Sequence, residues 1–414
     1  MLTASLAWSP GSGVDFADVP DDNPSPWPSS GMFNLIGLLD SFFTLHGAIP
    51  RWWRKDGYAF SPIHMMMEVT FHCNLRCNFC QYLEIIENKI KPYGPSSRDL
   101  PLADILRYID ELPRGRLISF TGGETLVRKD FPEILSRAAE HHRVHIVTNG
   151  SLIDESIARR YIDLAPRRVW QNGLVLIGVS LEGAEAQHDA ITGRPGSWRR
   201  SIDAIGHLIR WRNRAGKRFP KLDLKLVVNR DTYRGLVEFM ELARDVGVDV
   251  VNFIAENELI KNAEAKQLHR PQPKSPDVDA ALLRRELIRC YELGERAGIQ
   301  IRLLPNVPID EMVRHFTDDR SLDPAEYQCE GLWSRLGIKF DGRYTPMCPY
   351  LADGDMREES IATLWNSERL RSFRVATHRA RVYPGCHGCC NLKYTGPRKF
   401  GLAGIERLQH PSGG

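Results

Sequence analysis

Three cysteines fall within eight residues, Cys73-Asn74-Leu75-Arg76-Cys77-Asn78-Phe79-Cys80, and offer three soft thiolates from one loop. Thiolates at this density suit an iron-sulfur cluster or zinc. A structural zinc site wants four protein ligands, and only His72 lies close by as another donor. Three thiolates on a four-iron cluster leave one iron open, to which a second molecule can coordinate directly. A second constellation lies far down the chain: Cys329, then Cys348 in Gly342-Arg343-Tyr344-Thr345-Pro346-Met347-Cys348, then Pro384-Gly385-Cys386-His387-Gly388-Cys389-Cys390. Four thiolates from three loops can close a complete cluster, and spacing alone leaves zinc open there too.

The elements that position these groups show in the hydrophobic pattern. From about residue 63, short apolar runs alternate with amphipathic helical segments, as in repeated βα units around a parallel sheet. Strands are expected near 64–70, 116–121, 144–148, 174–180, 222–228 and 249–254, with helices near 102–112, 131–142, 154–163, 198–212, 235–246 and 278–297. Six units suffice for an α/β fold of the partial (β/α)6 TIM-like barrel type with right-handed crossovers; a closed eight-unit barrel needs more chain. Ile301 to Pro305 could add a strand, and a loop-rich pattern follows. The expected division is therefore 1–30 as a poorly ordered extension, 31–60 as an apolar helix and linker, 61–300 as the barrel, 301–325 as a linker, 326–400 as a small loop-rich auxiliary-cluster domain and 401–414 as a tail.

Polar residues gather at the carboxyl ends of the expected strands, where such folds build their sites. Thr121-Gly122-Gly123-Glu124 follows the second strand, Thr148-Asn149-Gly150 the third, and Ser180-Leu181-Glu182-Gly183 the fourth. Glycines permit close backbone approach, and a carboxylate accepts hydrogen bonds from an ammonium. As isolated features these are ordinary turns and caps. His188-Asp189-Ala190-Ile191-Thr192-Gly193-Arg194 follows, with a guanidinium suited to a carboxylate or to a surface ion pair.

The CxxxCxxC loop, with aromatic Phe79 before its last cysteine, resembles the defining motif of the radical S-adenosylmethionine (SAM) superfamily. That resemblance implies a 4Fe-4S cluster on Cys73, Cys77 and Cys80, SAM chelated to the open iron, and reductive cleavage to a 5′-deoxyadenosyl radical that abstracts a substrate hydrogen. It also implies cofactor contacts from Phe79, Gly122, Gly123, Glu124, Asn149, Ser180, Glu182 and Arg194, and an external electron donor such as a flavodoxin or ferredoxin. Val228 and Asn229, closing the fifth strand, would border the adenine.

The second cysteine group, with Ile338-Lys339-Phe340-Asp341-Gly342 and Ser360-Ile361-Ala362-Thr363-Leu364-Trp365-Asn366, is similar to the SPASM or shortened twitch extension of one branch of that superfamily. Two complete auxiliary clusters would need about seven or eight cysteines, and five are present. One auxiliary 4Fe-4S cluster on Cys329, Cys348, Cys386 and Cys389 is expected, with Cys390 as spare or substitute. It could accept an electron from a substrate radical, relay electrons to the first cluster, or be structural.

Composition narrows the rest. With 55 Lys and Arg against 52 Asp and Glu, bulk charge suggests no nucleic-acid partner. No apolar run is long enough to span a membrane and no secretory signal is evident, so the chain reads as cytoplasmic, a setting in which nine cysteines favour metal over disulfides. The segment over 31–55, apolar at helical spacing and ending in Trp52, Trp53, Arg54 and Lys55, suits barrel packing or a membrane-surface contact. Cys290, in a long amphipathic helix, reads as a small hydrophobe or as a thiol that returns a hydrogen atom.

The expected reaction is oxidation or cross-linking of a peptide or small natural-product substrate. Dehydrogenation or epimerisation of a sugar, aminocyclitol or lipid-linked substrate is the alternative, and a non-catalytic iron-sulfur carrier a remote one. The first 60 residues are neither long nor strand-rich enough for a leader-peptide-binding domain.

Overall fold

A nine-stranded sheet carries the fold in this computed structural model, which describes residues 45–87, 89, 99–168, 170–256, 277–317, 321–348 and 354–397. Seven strands follow one another in parallel: β1 (His64–Glu68), β2 (Leu117–Thr121), β3 (Arg143–Thr148), β4 (Gly173–Ser180), β5 (Lys221–Val228), β6 (Val250–Ala255) and β7 (Gln300–Leu304). Helices cross between them at Leu102–Glu111, Phe131–His141, Glu155–Asp163, Ser197–Arg214, Leu236–Val246 and Ala280–Ala297. A helix at Glu185–Thr192, which the hydrophobic pattern did not reveal, follows β4.

The strand pattern has a simple cause. In β3, Val144 and Ile146 are buried under the helices while Arg143, His145 and Val147 are half-buried on the other face. The same alternation puts Met65, Met67, Ile118, Phe120, Val251 and Phe253 into one core. Emptying one such position, as in Phe120→Ala, costs about 3–5 kcal/mol. Cys290 is fully buried in this helix-side core.

The α/β fold is as expected, and the strand left open at Ile301 to Pro305 is present: Gln300–Leu304 pairs in register with β6 as a seventh consecutive strand. One expectation changes. The segment 301–325, expected as a linker, holds most of that strand and a helix at Ile309–Arg314. The C-terminal region also enters the sheet: β9 (Arg335–Ile338) pairs in parallel with β1, and β10 (Tyr344–Thr345) pairs antiparallel with β9. The strand order is β10-β9-β1-β2-β3-β4-β5-β6-β7, and the sheet is open among the described residues. A two-stranded ribbon of β8 (Tyr327–Cys329) and β11 (Leu392–Tyr394) completes the C-terminal region.

Ser360 to Asn366 fastens that region to the first. The Ser360 side chain caps the helix Ile361–Trp365, Trp365 Nε1 donates to Phe60 O at 2.6 Å, and Ile361 N donates to Glu111 at 2.8 Å. Arg374, fully buried, stacks on Trp365 and donates to Leu332 O and Gly57 O.

Of the segment over 31–55, residues 45–53 form a described helix, with Trp52 and Trp53 exposed. The expectations for 1–30, for 31–44 and for 401–414 lie outside the described residues. No described helix is long and apolar enough to cross a membrane.

Candidate metal centre and cofactor site

The loop with Cys73, Cys77 and Cys80 leaves the carboxyl end of β1 and is braced on three sides. Asp99 holds its start, accepting from Thr70 Oγ1 at 2.6 Å and Phe71 N at 3.3 Å. Arg128, clamped on Asp130, donates to Val69 O at 2.8 Å. The helix Glu185–Thr192 backs the middle, where Arg76 N donates to Thr192 O and Asn78 N to Ile191 O. Phe71, Tyr82, Ile85 and Phe340 form a small apolar cluster against Cys80, so the hairpin after β9 helps to wall the loop. Neither Asp99 nor Arg128 was visible as a site residue in sequence, since each acts through the backbone of a distant segment.

The glycine pair has a reason that sequence alone did not supply. A Cβ on Gly122 would stand 2.1 Å from Thr70 O, and one on Gly123 would stand 2.1 Å from His72 O. Gly122 also has φ +141, which side chains rarely adopt. The pair therefore lets the end of β2 lie against the cluster loop, with Gly123 N on Thr70 O and Glu124 N on His72 O. Any larger residue would push the loop away.

Glu124 is fully buried and saturated with donors: Thr148 Oγ1 at 2.7 Å and Leu126 N at 3.1 Å reach Oε1, and Asn149 N at 2.7 Å reaches Oε2. Burial raises its pKa, and these hydrogen bonds oppose the rise. Asn149 in turn reaches the loop, with Nδ2 2.9 Å from Asn74 Oδ1 and 4.0 Å from Cys73 Sγ. Phe79 is half-buried beside Cys80. Ser180, half-buried at the end of β4, has a hydroxyl that bonds to no described protein group.

Glu182 is buried behind the cysteines, accepts from Val227 N at 3.0 Å, and has its pKa pushed up to about 8 by burial. Its own N–H donates to His188 Nδ1 at 3.0 Å, which fixes the proton of that imidazole on Nε2. Burial holds His188 down at about 4. Asp189 caps the next helix through Ser197 Oγ and Trp198 N. Arg194, exposed, donates from Nη1 to Asn74 O at 2.9 Å. Asn229 folds into its own turn with Asp231 and Thr232.

Burial pushes the Cys73 thiol up to about 11 and raises Cys77 as well, with Cys80 adding to both. Such thiols bind iron by losing protons that the apolar surroundings otherwise retain. Among the described residues, no three His, Cys, Asp or Glu side chains are arranged about a single ion.

The second group is assembled from separate segments. Cys329 ends β8, Cys348 follows β10, and Cys386 and Cys389 flank His387 and Gly388. Burial raises Cys329, and the neighbouring thiols of Cys386 and Cys348 add to it. Cys389 is raised by its hydrogen bond with Cys390, by burial, and by Cys386 and Cys329. Cys390 is drawn the other way by that bond and by Arg335 and Lys339. Asn391 stitches the group together: Nδ2 donates to Met347 O at 2.6 Å, Oδ1 accepts from Arg335, and a Cβ on Gly331 would collide with it.

Residues 67–210 match the family model of the Radical SAM superfamily, and residues 329–390 match that of the SPASM iron-sulfur cluster-binding domain. The chain is a radical SAM enzyme with a C-terminal SPASM domain. It is 25% identical over 335 residues to the tungsten-containing aldehyde ferredoxin oxidoreductase cofactor-modifying protein of Pyrococcus furiosus, covering 79% of this chain and 86% of that one. It is 26% identical over 365 residues to the AdoMet-dependent heme synthase of Nitratidesulfovibrio vulgaris, covering 83% and 90%. In fold it is similar to Streptococcus suis SuiB bound to its precursor peptide SuiA, with a TM-score of 0.56 and 16% identity over 80% of this chain and 71% of that one. The family carries a 4Fe-4S cluster with SAM, and the SPASM domain carries auxiliary iron-sulfur clusters.

Proposed function

We propose that this radical SAM enzyme is an oxidoreductase that removes a hydrogen atom from a peptide or small natural-product substrate and sets its product by oxidation or cross-linking. The observation that carries the proposal is the shared sheet. The loop with Cys73, Cys77 and Cys80 leaves β1, and Cys348 follows β10, which pairs with β9, the outer partner of β1; Cys329, Cys386 and Cys389 lie on or beside the β8–β11 ribbon. Two redox sites tied through one sheet suit chemistry in which one electron enters and another leaves.

Cys73, Cys77 and Cys80 would hold the SAM-binding cluster, and Cys329, Cys348, Cys386 and Cys389 the auxiliary one. When bound, the first supplies one-electron cleavage of SAM. The protein's own part is placement. Glu124 and Asn149 set the loop edge that faces the methionyl end, Phe79 covers it, and the free Ser180 hydroxyl is available to the ribose. Arg194 and Glu182 hold the loop and its rear wall, through Asn74 O and Val227 N. The named activities of relatives, a sulfatase-maturating enzyme in Clostridium novyi and a PqqA peptide cyclase in Granulibacter bethesdensis, support a peptide as substrate.

The test is anaerobic reconstitution followed by dithionite and SAM. About eight iron per chain and formation of 5′-deoxyadenosine are expected, with deuterium passing into it from a labelled substrate. A fully loaded protein that makes no 5′-deoxyadenosine would overturn the assignment.

A further inference from the structure

Deeper than the residues named above, the concave face of the sheet is polar. His64 on β1, Ser119 on β2 and His145 on β3 form one chain, with His64 Nε2 2.9 Å from Ser119 Oγ and that oxygen 3.0 Å from His145 Nδ1. Lys225 on β5 lies across Gly178 of β4, where a Cβ would stand 2.1 Å from its Cε, and ends on Asp223. Asn252 on β6 is the register neighbour of Lys225 on one side and of Arg302 of β7 on the other. Because Val251, Phe253, Ile301 and Leu303 enter the helix-side core, Asn252 and Arg302 take the opposite face. Lys225 and Arg302 both repel a proton from His145, so their charges meet across this floor.

The charges there do not cancel. Lys225 is neutralised by Asp223. His64 and His145 are kept uncharged, foremost by burial. Arg302 is half-buried, with one long bond to Gln300 Oε1 at 3.4 Å and no carboxylate partner among the described residues. On the same face, Asn252 Oδ1, Asp223 Oδ1 and His145 Nε2 are buried without a partner. Asn252 is only 8% exposed. A cation withdrawn from water without a counter-ion is costly, and a guanidinium fork is best matched by a carboxylate.

We propose that this floor is a carboxylate-binding subsite for the substrate, with Arg302 as its two-pronged clamp and the Asn252 amide and His145 Nε2 as flanking donors. Ser119 Oγ occupies His145 Nδ1, and the other ring nitrogen, Nε2, is the one left buried for a ligand. A half-turn of the Asn252 amide presents its NH2 in the same direction. The subsite rests on the proposed radical SAM function, which puts the substrate on this concave face.

The test uses holoenzyme with SAM and no reductant, so that binding is read without turnover. Saturation-transfer NMR compares acetyl-Ala-Glu-Ala-amide with acetyl-Ala-Gln-Ala-amide, which differ only in a carboxylate. The acidic peptide is expected to bind about tenfold tighter or more, as a charge-assisted bond provides. Arg302→Leu should erase the preference, and Arg302→Lys should keep part of it. Asn252→Asp, which sets a carboxylate beside Arg302 and preserves volume, should erase it too and decides the matter if Arg302→Leu loses its iron or its circular dichroism spectrum. Equal affinity, no binding of either peptide, or a preference that survives both substitutions overturns the subsite. Failure here in a protein that still forms 5′-deoxyadenosine is distinct from failure of the proposed function, in which the binding preference would persist without that product.

Discussion

The two cysteine groups of this chain are built in opposite ways. Cys73, Cys77 and Cys80 share one loop, and the rest of the fold arrives to brace it: Asp99, Arg128, the glycine pair and the helix Glu185–Thr192. Cys329, Cys348, Cys386 and Cys389 come from separate segments, and only folding brings them together. A local ligand set costs little chain entropy to assemble, whereas a dispersed one closes long loops when it binds. The first centre should therefore govern chemistry with little effect on stability, and the second should govern stability as well.

The sharpest way to break that contrast is Cys389→Ala. Unfolding of the reconstituted protein should become easier by about 4 kcal/mol, the linkage of a ligand held a thousandfold above its dissociation constant, and iron should fall by half. An unchanged denaturation midpoint would erase the distinction between the groups.

Acid is the next probe, aimed at the wall behind the first loop. His188 is held at about 4, below its usual 6.5, so the folded state binds fewer protons than the unfolded one between these values. Its contribution is whole at neutral pH and is lost as pH falls from 6.5 towards 4, by up to about 3 kcal/mol. Denaturation at pH 7.0 and pH 5.5 should show that slope in the native protein and a flatter one in His188→Gln.

Asn391→Ala tests the stitching of the second group without touching a ligand. Loss of the bond to Met347 O leaves a part-buried carbonyl without that partner, at a cost of about 1–2 kcal/mol, read from the melting transition and from slower uptake of the second half of the iron. The smallest stability effect belongs to Cys73→Ala, within about 1 kcal/mol of the native protein, although 5′-deoxyadenosine formation should fall to background. A large loss of stability in Cys73→Ala would invert the comparison.

The same contrast explains what could be read in sequence. The first cysteine group, the glycines beside Glu124 and six strand-helix units were legible because each is a local pattern of spacing or period. The seventh strand was ambiguous, since five residues are short for a strand even between Gly298 and Pro305. Pairing of β9 with β1 was hidden, because register across some 270 residues leaves no local trace. Asp99, Arg128 and Asn391 were invisible for the same reason: each works on backbone atoms of another segment. The polar floor around Arg302 needed the sheet to reveal which face each residue takes.

Placement of β9 beside β1 has a consequence for the chain as it is made. β1 is complete at Glu68, but its outer partner begins at Arg335, 267 residues later. At roughly 5–20 residues per second, the ribosome needs on the order of 13–53 s to cover that interval. Throughout it, β1 presents bare N–H and C=O groups on one side, an invitation to foreign strands. Yield in a cell should therefore depend on whatever shelters that edge until the last fifth of the chain emerges.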